Sequence, residues 1–444
     1  MSFQFWSATG IFVLAYAAIC SEKIHKTKVA LFGAAATLGL KILAQEDAFH
    51  NIDLGVDWNV IFLLISMMLI VNIMTRTGVF QYLAVKSAKL SRGEPFRIMA
   101  LFAVITATLS AFLDNVTTVL LIAPVTLYIA GELDLDPVPY LITEALASNI
   151  GGTATLIGDP PNIMIGSKAG LDFVDFVVHL TPAIVIIMAV WMLAWKIVFG
   201  RRLTVRPELK ARILAMRERE CITDPALLKK SLVVLVLTIL GFVLHGLFHY
   251  EPATVALLGA SVLLLVSGED PHKALAELEW PTIFFFIGLF VIVGGTVKVG
   301  LIELLSRKMI ALTAPTPDNT LVLSLVMVWF SAFALAIIDN IPFVATMNPL
   351  LLDVAAKVFG GTGPEAVQHP MMLPVWWALA LGACLGGNGT AIGASANVIV
   401  VGMSEKAGRH ISFVRFLKYG TPVMLLTIAV STVYLVLRYY VLRF

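Results

Sequence analysis

Gly151-Gly-Thr-Ala-Thr-Leu-Ile-Gly-Asp-Pro-Pro-Asn162 and Gly386-Gly-Asn-Gly-Thr-Ala-Ile-Gly-Ala-Ser-Ala-Asn397 are one stretch written twice, at an offset of 235 residues. Each interrupts an apolar run with residues that break helices and then closes on an asparagine. Working outward, the same order of signals surrounds both copies. Asp114-Asn115 with Pro124 precedes the first, and Asp339-Asn340 with Pro349 precedes the second. Earlier still, Asp57-Trp58 runs to Thr77-Gly78 as Glu279-Trp280 runs to Val299-Gly300, and Val29-Ala-Leu-Phe-Gly33 matches Val255-Ala-Leu-Leu-Gly259. Downstream, Phe173 and Thr181-Pro182 match Phe413 and Thr421-Pro422. Five correspondences in one order describe a duplicated architecture, and such a repeat constrains the whole fold.

Composition places that repeat in lipid. Of 444 residues, 59% are hydrophobic and 14% charged, with a mean hydropathy of +0.91, more apolar surface than a water-soluble core of this length can hide. Apolar runs recur at 5–21, 28–44, 58–75, 177–199, 231–248, 281–297 and 418–437, and a spanning helix needs roughly 20 such residues. The first run lacks a basic flank and a small-residue cleavage site, so it reads as a retained span. Cys20, Cys221 and Cys384 are far apart and form no disulfide or metal pattern; His245 and His249 stand at helical spacing but suit an interface better than zinc. No metal or cofactor is expected, and a net charge of +2 implies no nucleic-acid partner.

The predicted fold is an all-α polytopic membrane protein. Residues 1–200 and 231–444 form two inverted transmembrane repeats of about five spans each, joined by a basic linker at 201–230 that carries Arg206, Lys210, Arg212, Arg217, Arg219, Lys229 and Lys230 after Arg201 and Arg202. The positive-inside rule puts this linker in the cytoplasm. Basic segments 22–28 and 86–97 then also fall inside and the acidic stretch 46–57 outside, with the acidic loop 268–280 as the main misfit. Ten spans, two re-entrant hairpins and both termini outside satisfy this count. Residues 79–90 and 301–312 read as amphipathic helices at the interface.

A carboxylate within hydrocarbon is costly, so Asp114 and Asp339 are functional candidates by position. Each lies between elements that look too short to span: Leu101–Leu113 and Val116–Ala130 in the first half, 320–338 and 341–356 in the second. That is what the tip of a hairpin requires. Asn115, Thr117 and Thr118, and in the second half Asn340 and Thr346, add side-chain oxygens and amides that can bind a cation or a hydroxylated solute. The glycine-rich stretches read as unwound segments of two broken helices, whose carbonyls and half-helix N-termini bind ions. Candidates there are Gly151, Gly152, Thr153 and Asn162, then Gly386, Gly387, Asn388, Thr390 and Asn397. Asn149 and Asn388 either face this site or cap the broken helices. Asp159 has no acidic counterpart in the second half, nor has Glu144, which is matched by Leu379; with Asp114 and Asp339 they complete the proton-coupling candidates. No Lys or Arg lies between Ile98 and Ser167, between Met309 and Ala356, or between Val358 and Glu405, so neither constellation has a built-in cation.

These motifs, Asp114-Asn-Val-Thr-Thr118, Gly158-Asp-Pro-Pro-Asn162, Asp339-Asn-Ile-Pro342 and Gly386-Gly-Asn-Gly-Thr390 with Gly393-Ala-Ser-Ala-Asn397, resemble the arsenite permease and sodium/proton antiporter branch of the ion transporter superfamily. Within it the nearest pattern is the pink-eyed-dilution type, and the similarity spans essentially the whole chain. The resemblance implies an elevator-like inverted repeat, usually a homodimer, in which Asn115 and Asn340 are hairpin-tip amides. It implies a secondary transporter of the cell inner membrane, in contact with lipid. The leading expectation is proton-coupled efflux of arsenite or antimonite, which as uncharged trihydroxides need hydrogen bonds rather than a basic residue. Sodium/proton exchange is the alternative, and symport of a dicarboxylate-type anion a third. Asp114→Asn is expected to abolish proton coupling. A channel would show a continuous polar stripe, and with no nucleotide-binding loop the chain is not expected to be an enzyme. Its driving force is a gradient or a separate cytoplasmic ATPase subunit.

Overall fold

The computed structural model describes residues 2–21, 23–51, 53–200, 205–248, 250–361 and 363–443, and of Pro207, Gly246 and Leu247 the backbone alone. Arg201, Arg202 and His249 thus lie outside the described residues. The described residues are mostly helical, and they contain one isolated bridge, between Thr316 and Asn319. Eight helices among them are long and apolar enough to cross a membrane, with shorter apolar helices at Pro95–Ser110, Pro252–Ser267 and Leu321–Leu335.

Helix boundaries follow local chemistry. Trp58–Thr75 starts where the Asp57 carboxylate accepts the Val60 N–H at 3.3 Å, satisfying one of the orphan donors of a helix start. It stops before Gly78, at φ 76°, and the matching helix Trp280–Lys298 stops before Gly300, at φ 83°. A Cβ on Gly78 would stand 1.8 Å from the Cys221 carbonyl oxygen, so this left-handed turn also admits the linker backbone. The amphipathic helices Val79–Leu90 and Leu301–Thr313 follow these two turns.

Corresponding elements make exchanged contacts. Lys26–Gly39 packs on Trp280–Lys298, and Pro252–Ser267 packs on Trp58–Thr75. In the interior, Pro95–Ser110 packs on Val138–Gly152 as Leu321–Leu335 packs on Leu373–Gly386. The second arm of each hairpin crosses to the other half: Asn115–Glu132 meets Ser395–Lys406, and Asn340–Phe359 meets Pro160–Ala169. Every residue of Val138–Gly152 is buried, and Leu373–Gly386 is buried from Pro374 onward. The outer face carries Leu193, Ile197, Leu237, Leu240 and Leu265 exposed, as a lipid-facing surface does.

Several boundaries depart from the sequence expectation. The second hairpin arms are full helices, Asn115–Glu132 and Asn340–Phe359, each long enough to span. Shortness therefore does not make these hairpins; the break at the aspartate does. Apolar run 28–44 ends its helix at Gly39, and run 177–199 is divided between Phe173–His179 and Thr181–Phe199, because Pro182 cannot donate an N–H to the preceding turn. The linker expected to reach residue 230 ends earlier: a helix begins at Pro225 and carries Lys229 and Lys230.

The linker is bound to the first half rather than free. Lys210 Nζ donates to Glu94 at 2.6 Å, Lys89 Nζ to Glu218 at 2.6 Å and to the Met216 carbonyl at 2.9 Å, and the Thr223 N–H to the Thr77 carbonyl at 3.0 Å. Its lysine holds each glutamate below the usual carboxylate range. The acidic loop that misfits the charge rule finds its cation here. Arg76 pairs with Glu269 and, at 2.8 Å, with Glu277.

Candidate functional site

Both hairpin tips are made by an aspartate that caps the following helix. Asp114 has extended backbone, and its carboxylate accepts the Thr117 N–H at 2.9 Å and the Thr117 hydroxyl; Asp339 accepts the Ile341 N–H at 3.1 Å. Beyond each cap, Pro124 and Pro349 sit inside the second arm, where each removes one donor from the helix ladder.

The two unwound segments are held by duplicated side-chain bonds. Asn162 Nδ2 donates to the carbonyls of Gly152, Thr153 and Thr155 at 3.4, 3.2 and 2.9 Å; Asn397 Nδ2 donates to those of Gly387 and Thr390 at 2.8 and 2.9 Å. The Thr155 hydroxyl donates to the Ala111 carbonyl, as Thr390 does to Ala336 at 2.6 Å. Thr181 donates to Ala154 at 2.9 Å and Thr421 to Gly389 at 2.8 Å, which explains the repeated Thr-Pro pair. Irregular backbone at membrane depth needs such partners. These bonds satisfy carbonyls that the sequence reading had offered to a ligand.

Gly151 and Gly386 serve close packing. A Cβ on Gly151 would lie 2.1 Å from the Ala107 carbonyl oxygen, and one on Gly386 would lie 2.6 Å from Ala332 Cα, in the matching hairpin arm. Gly152 lies against the tip amide, since its Cβ would meet Asn115 Oδ1 at 2.3 Å. That Asn115 oxygen accepts the Ser110 hydroxyl at 2.5 Å.

The halves meet through amides and a thiol. Asn149 Nδ2 donates to Asn388 Oδ1 at 2.9 Å and to Asn397 Oδ1 at 3.1 Å; it lies inside its helix and caps nothing. Asn340 Nδ2 reaches Asp159 Oδ1 at 3.4 Å, and the Cys384 thiol lies 3.5 Å from Asn162 Oδ1. The buried Thr153 donates its hydroxyl to the Asn149 carbonyl at 2.8 Å. Among the described residues, Asn149 Oδ1, Asn388 Nδ2, Asp159 Oδ2 and Thr118 Oγ1 are buried without a hydrogen-bond partner. A buried polar atom left unmet costs about 1–3 kcal/mol, so a group of them at the junction of two broken helices is suited to meeting a ligand.

Other candidates stand apart. Glu144 accepts the Thr126 hydroxyl and so ties Val138–Gly152 to Asn115–Glu132, its second oxygen unmet. Asp114 and Thr117 complete a cap, and Asp114 lies within electrostatic reach of Glu279, the residue that precedes Trp280–Lys298. No cluster of three or more potential metal ligands occurs among the described residues.

The expectation that neither constellation has a built-in cation is corrected by the fold. Lys26, from another helix, places Nζ 2.7 Å from Asp339 Oδ2. From the preceding helix, the Tyr16 hydroxyl lies 2.6 Å from the Pro342 carbonyl and 2.7 Å from Thr346 Oγ1. Neither residue carries a signal in sequence, because both are brought to the tip by contacts more than 300 residues long. A cleft of about 1030 Å³ is lined by Glu251 and Gln368 together with Leu156 and Ile163 of the first broken helix. At its wall Asp57 accepts the Ser167 hydroxyl at 2.7 Å and lies 3.7 Å from Lys168 Nζ.

The chain resembles known membrane transporters over nearly its full length. An uncharacterized transporter of Mycobacterium tuberculosis (strain H37Rv) is 47% identical, the match covering 98% of this chain and 99% of the relative. The P protein of Mus musculus is 34% identical, covering 99% of this chain and 61% of that protein. Two solved structures share the fold: the Alcanivorax borkumensis YdaH transporter, at TM-score 0.52 and 13% identity over 98% of both chains, and Neisseria gonorrhoeae MtrF, described as one of a class of antimetabolite efflux pumps, at TM-score 0.55 and 12% identity over 99% of this chain and 96% of the other. The family, the mycobacterial relative and both solved structures are described as transporters or pumps, and the chain is a transporter rather than an enzyme. A family model described as a citrate transporter matches residues 16–382, and the chain, a multi-pass membrane transporter, belongs to this CitMHS family.

Proposed function

We propose that the protein is a proton-coupled secondary transporter of the inner membrane. Its two halves are inverted about the membrane plane, its linker faces the cytoplasm, and its solute site lies where the two broken helices meet. The observation that carries this reading is the set of unmet atoms on Asn149, Asn388 and Asp159 beside the inter-half amide bonds. The donors and acceptors there are amides, a carboxyl and one thiol, with no guanidinium or ammonium bonded to them. Such a site hydrogen-bonds a small hydroxylated solute of little charge, of which arsenite and antimonite trihydroxides are the natural candidates. A single thiol, Cys384, binds trivalent arsenic without the grip of three. Asp159 and Asp339 carry the coupling, and Asp114 is a helix cap first.

A second reading, symport of a citrate-like anion, is favoured by the family description and by Lys26 at the second tip. Sodium/proton exchange uses the same carboxylates as cation ligands. The deciding experiment uses purified protein in proteoliposomes with a pH-sensitive dye, adding arsenite, antimonite, sodium and citrate in turn. Proton flux driven by arsenite or antimonite alone supports the first reading. A response to citrate or to sodium alone replaces it with the corresponding alternative.

A further inference from the structure

The ammonium of Lys26 occupies a three-sided cation site. Asp339 Oδ2 lies 2.7 Å away, Ser395 Oγ 3.4 Å away, and the Phe285 ring centroid 5.1 Å away. These groups come from three different elements: the second hairpin tip, the start of the half-helix Ser395–Lys406, and the helix Trp280–Lys298. A carboxylate, a hydroxyl and an aromatic face are what a cation seeks when it leaves water. Lys26 itself stands at the start of Lys26–Gly39, which packs on Trp280–Lys298 and belongs to neither hairpin nor broken helix.

The position joins the solute site directly. Asp339 is followed by Asn340, whose amide reaches Asp159 Oδ1 at 3.4 Å. The arrangement is also one-sided. In the repeat that aligns Val29 with Val255, the counterpart of Lys26 is Pro252, and the first tip, Asp114, satisfies its carboxylate with Thr117 instead. Among the described residues, the lysine partner is therefore found at one tip, Asp339, and not at Asp114. The pair is not sealed in the protein interior: the Lys26 and Asp339 side chains remain 27% and 18% exposed.

We propose that Lys26 is a tethered competitor for the coupling cation, its ammonium holding at Asp339 the place that a proton takes in the loaded carrier. When a proton from water binds Asp339 Oδ2, the carboxyl becomes neutral and the still-protonated Lys26 is released from it. The second tip then loses its tie to Lys26–Gly39 and keeps the Tyr16 contacts and the Asn340 amide's contact with Asp159. When the proton leaves, the lysine returns, so the empty carrier does not hold an uncompensated carboxylate. Other titratable groups facing this pair are His25 beside Lys26, Glu279 at the start of Trp280–Lys298, Tyr16 and Cys20 on Phe3–Ser21, and Asp159 on the first broken helix. This inference rests on reading Asp339 as a coupling carboxyl.

The test compares wild type, Lys26→Gln, Lys26→Arg and Asp339→Asn in proteoliposomes, reading solute-driven proton flux against pH, with size-exclusion elution and melting temperature as folding checks. Removing the competitor makes proton binding easier, so Lys26→Gln moves the flux midpoint to alkaline by roughly one pH unit. Lys26→Arg keeps the charge and binds a carboxylate more tightly, so it moves the midpoint to acid. In an Asp339→Asn background the glutamine substitution adds no shift. Midpoints that stay at the wild-type value in both lysine variants, while Asp339→Asn flattens the profile, overturn the role of Lys26 and leave the coupling role of Asp339 standing. If Lys26→Gln does not fold, an unmoved Lys26→Arg midpoint overturns the proposal by itself. A wild type without solute-driven proton flux overturns the transport reading and the Lys26 role with it.

Discussion

Replacing Asn149 by alanine removes the amide that bridges the two halves. Its Nδ2 makes two bonds, at 2.9 Å to Asn388 Oδ1 and 3.1 Å to Asn397 Oδ1, and its own Oδ1 is unmet. Side-chain hydrogen bonds within membrane proteins are worth on average about 0.6 kcal/mol each. Two of them give about 1 kcal/mol, and stranding the Asn388 acceptor adds about 1–3 kcal/mol. The Asn397 Oδ1 also loses its donor, but Asn397 Nδ2 keeps its bonds to the Gly387 and Thr390 carbonyls, so its position should hold. The expected loss is about 2–4 kcal/mol of stability, together with a fall in solute affinity of about tenfold for each ligand bond lost. Ser148→Ala is the control, since that hydroxyl bonds only within its own helix, to the Ala145 carbonyl at 2.9 Å. The assays are thermal unfolding in detergent and equilibrium binding of the transported solute. An Asn149→Ala protein as stable as Ser148→Ala and binding with wild-type affinity would refute the argument that the halves communicate through this amide.

Further outcomes follow from single contacts. Gly151→Ala drives a methyl to 2.1 Å from a backbone oxygen and should cost about 1–3 kcal/mol, whereas Gly402→Ala, with open space around it, should be neutral or slightly stabilising in the same melting assay. Asp159→Asn should retain the fold and abolish the pH dependence of transport, while Asp114→Asn keeps that dependence and also keeps the helix cap, since asparagine caps as well as aspartate; proteoliposome flux from acid to alkaline pH separates them. The lysine-held carboxyls of Glu94 and Glu218 sit below their ordinary range, so the linker ties are complete at neutral pH and are lost only as the pH falls through those lowered values. Proteolysis of the linker should accordingly stay flat from neutral pH through the ordinary carboxylate range and accelerate only below that range. Arg76→Gln leaves Glu269 and Glu277 without their cation and should loosen the 268–280 loop, read as faster hydrogen exchange there.

The sequence by itself determined the membrane and the places where helices break. Lipid imposes a minimum length of apolar run, and Gly, Pro and Asp act on their own turn of backbone, so their effects are local and written in order along the chain. Asp114 and Asp339 therefore mark the hairpin tips, and the two glycine-rich stretches mark the unwound segments, from residue type alone. What each polar group bonds was decided by the tertiary structure. Asn162 and Asn397 turned inward to staple carbonyls, Gly151 and Gly386 admitted hairpin arms, and Asn149 reached across to the other half. Lys26 and Tyr16 came to the second tip from more than 300 residues away. A hydrogen bond depends on a few ångströms and an angle, and helix packing between distant segments sets both. Local sequence carries no record of which helix will supply the partner.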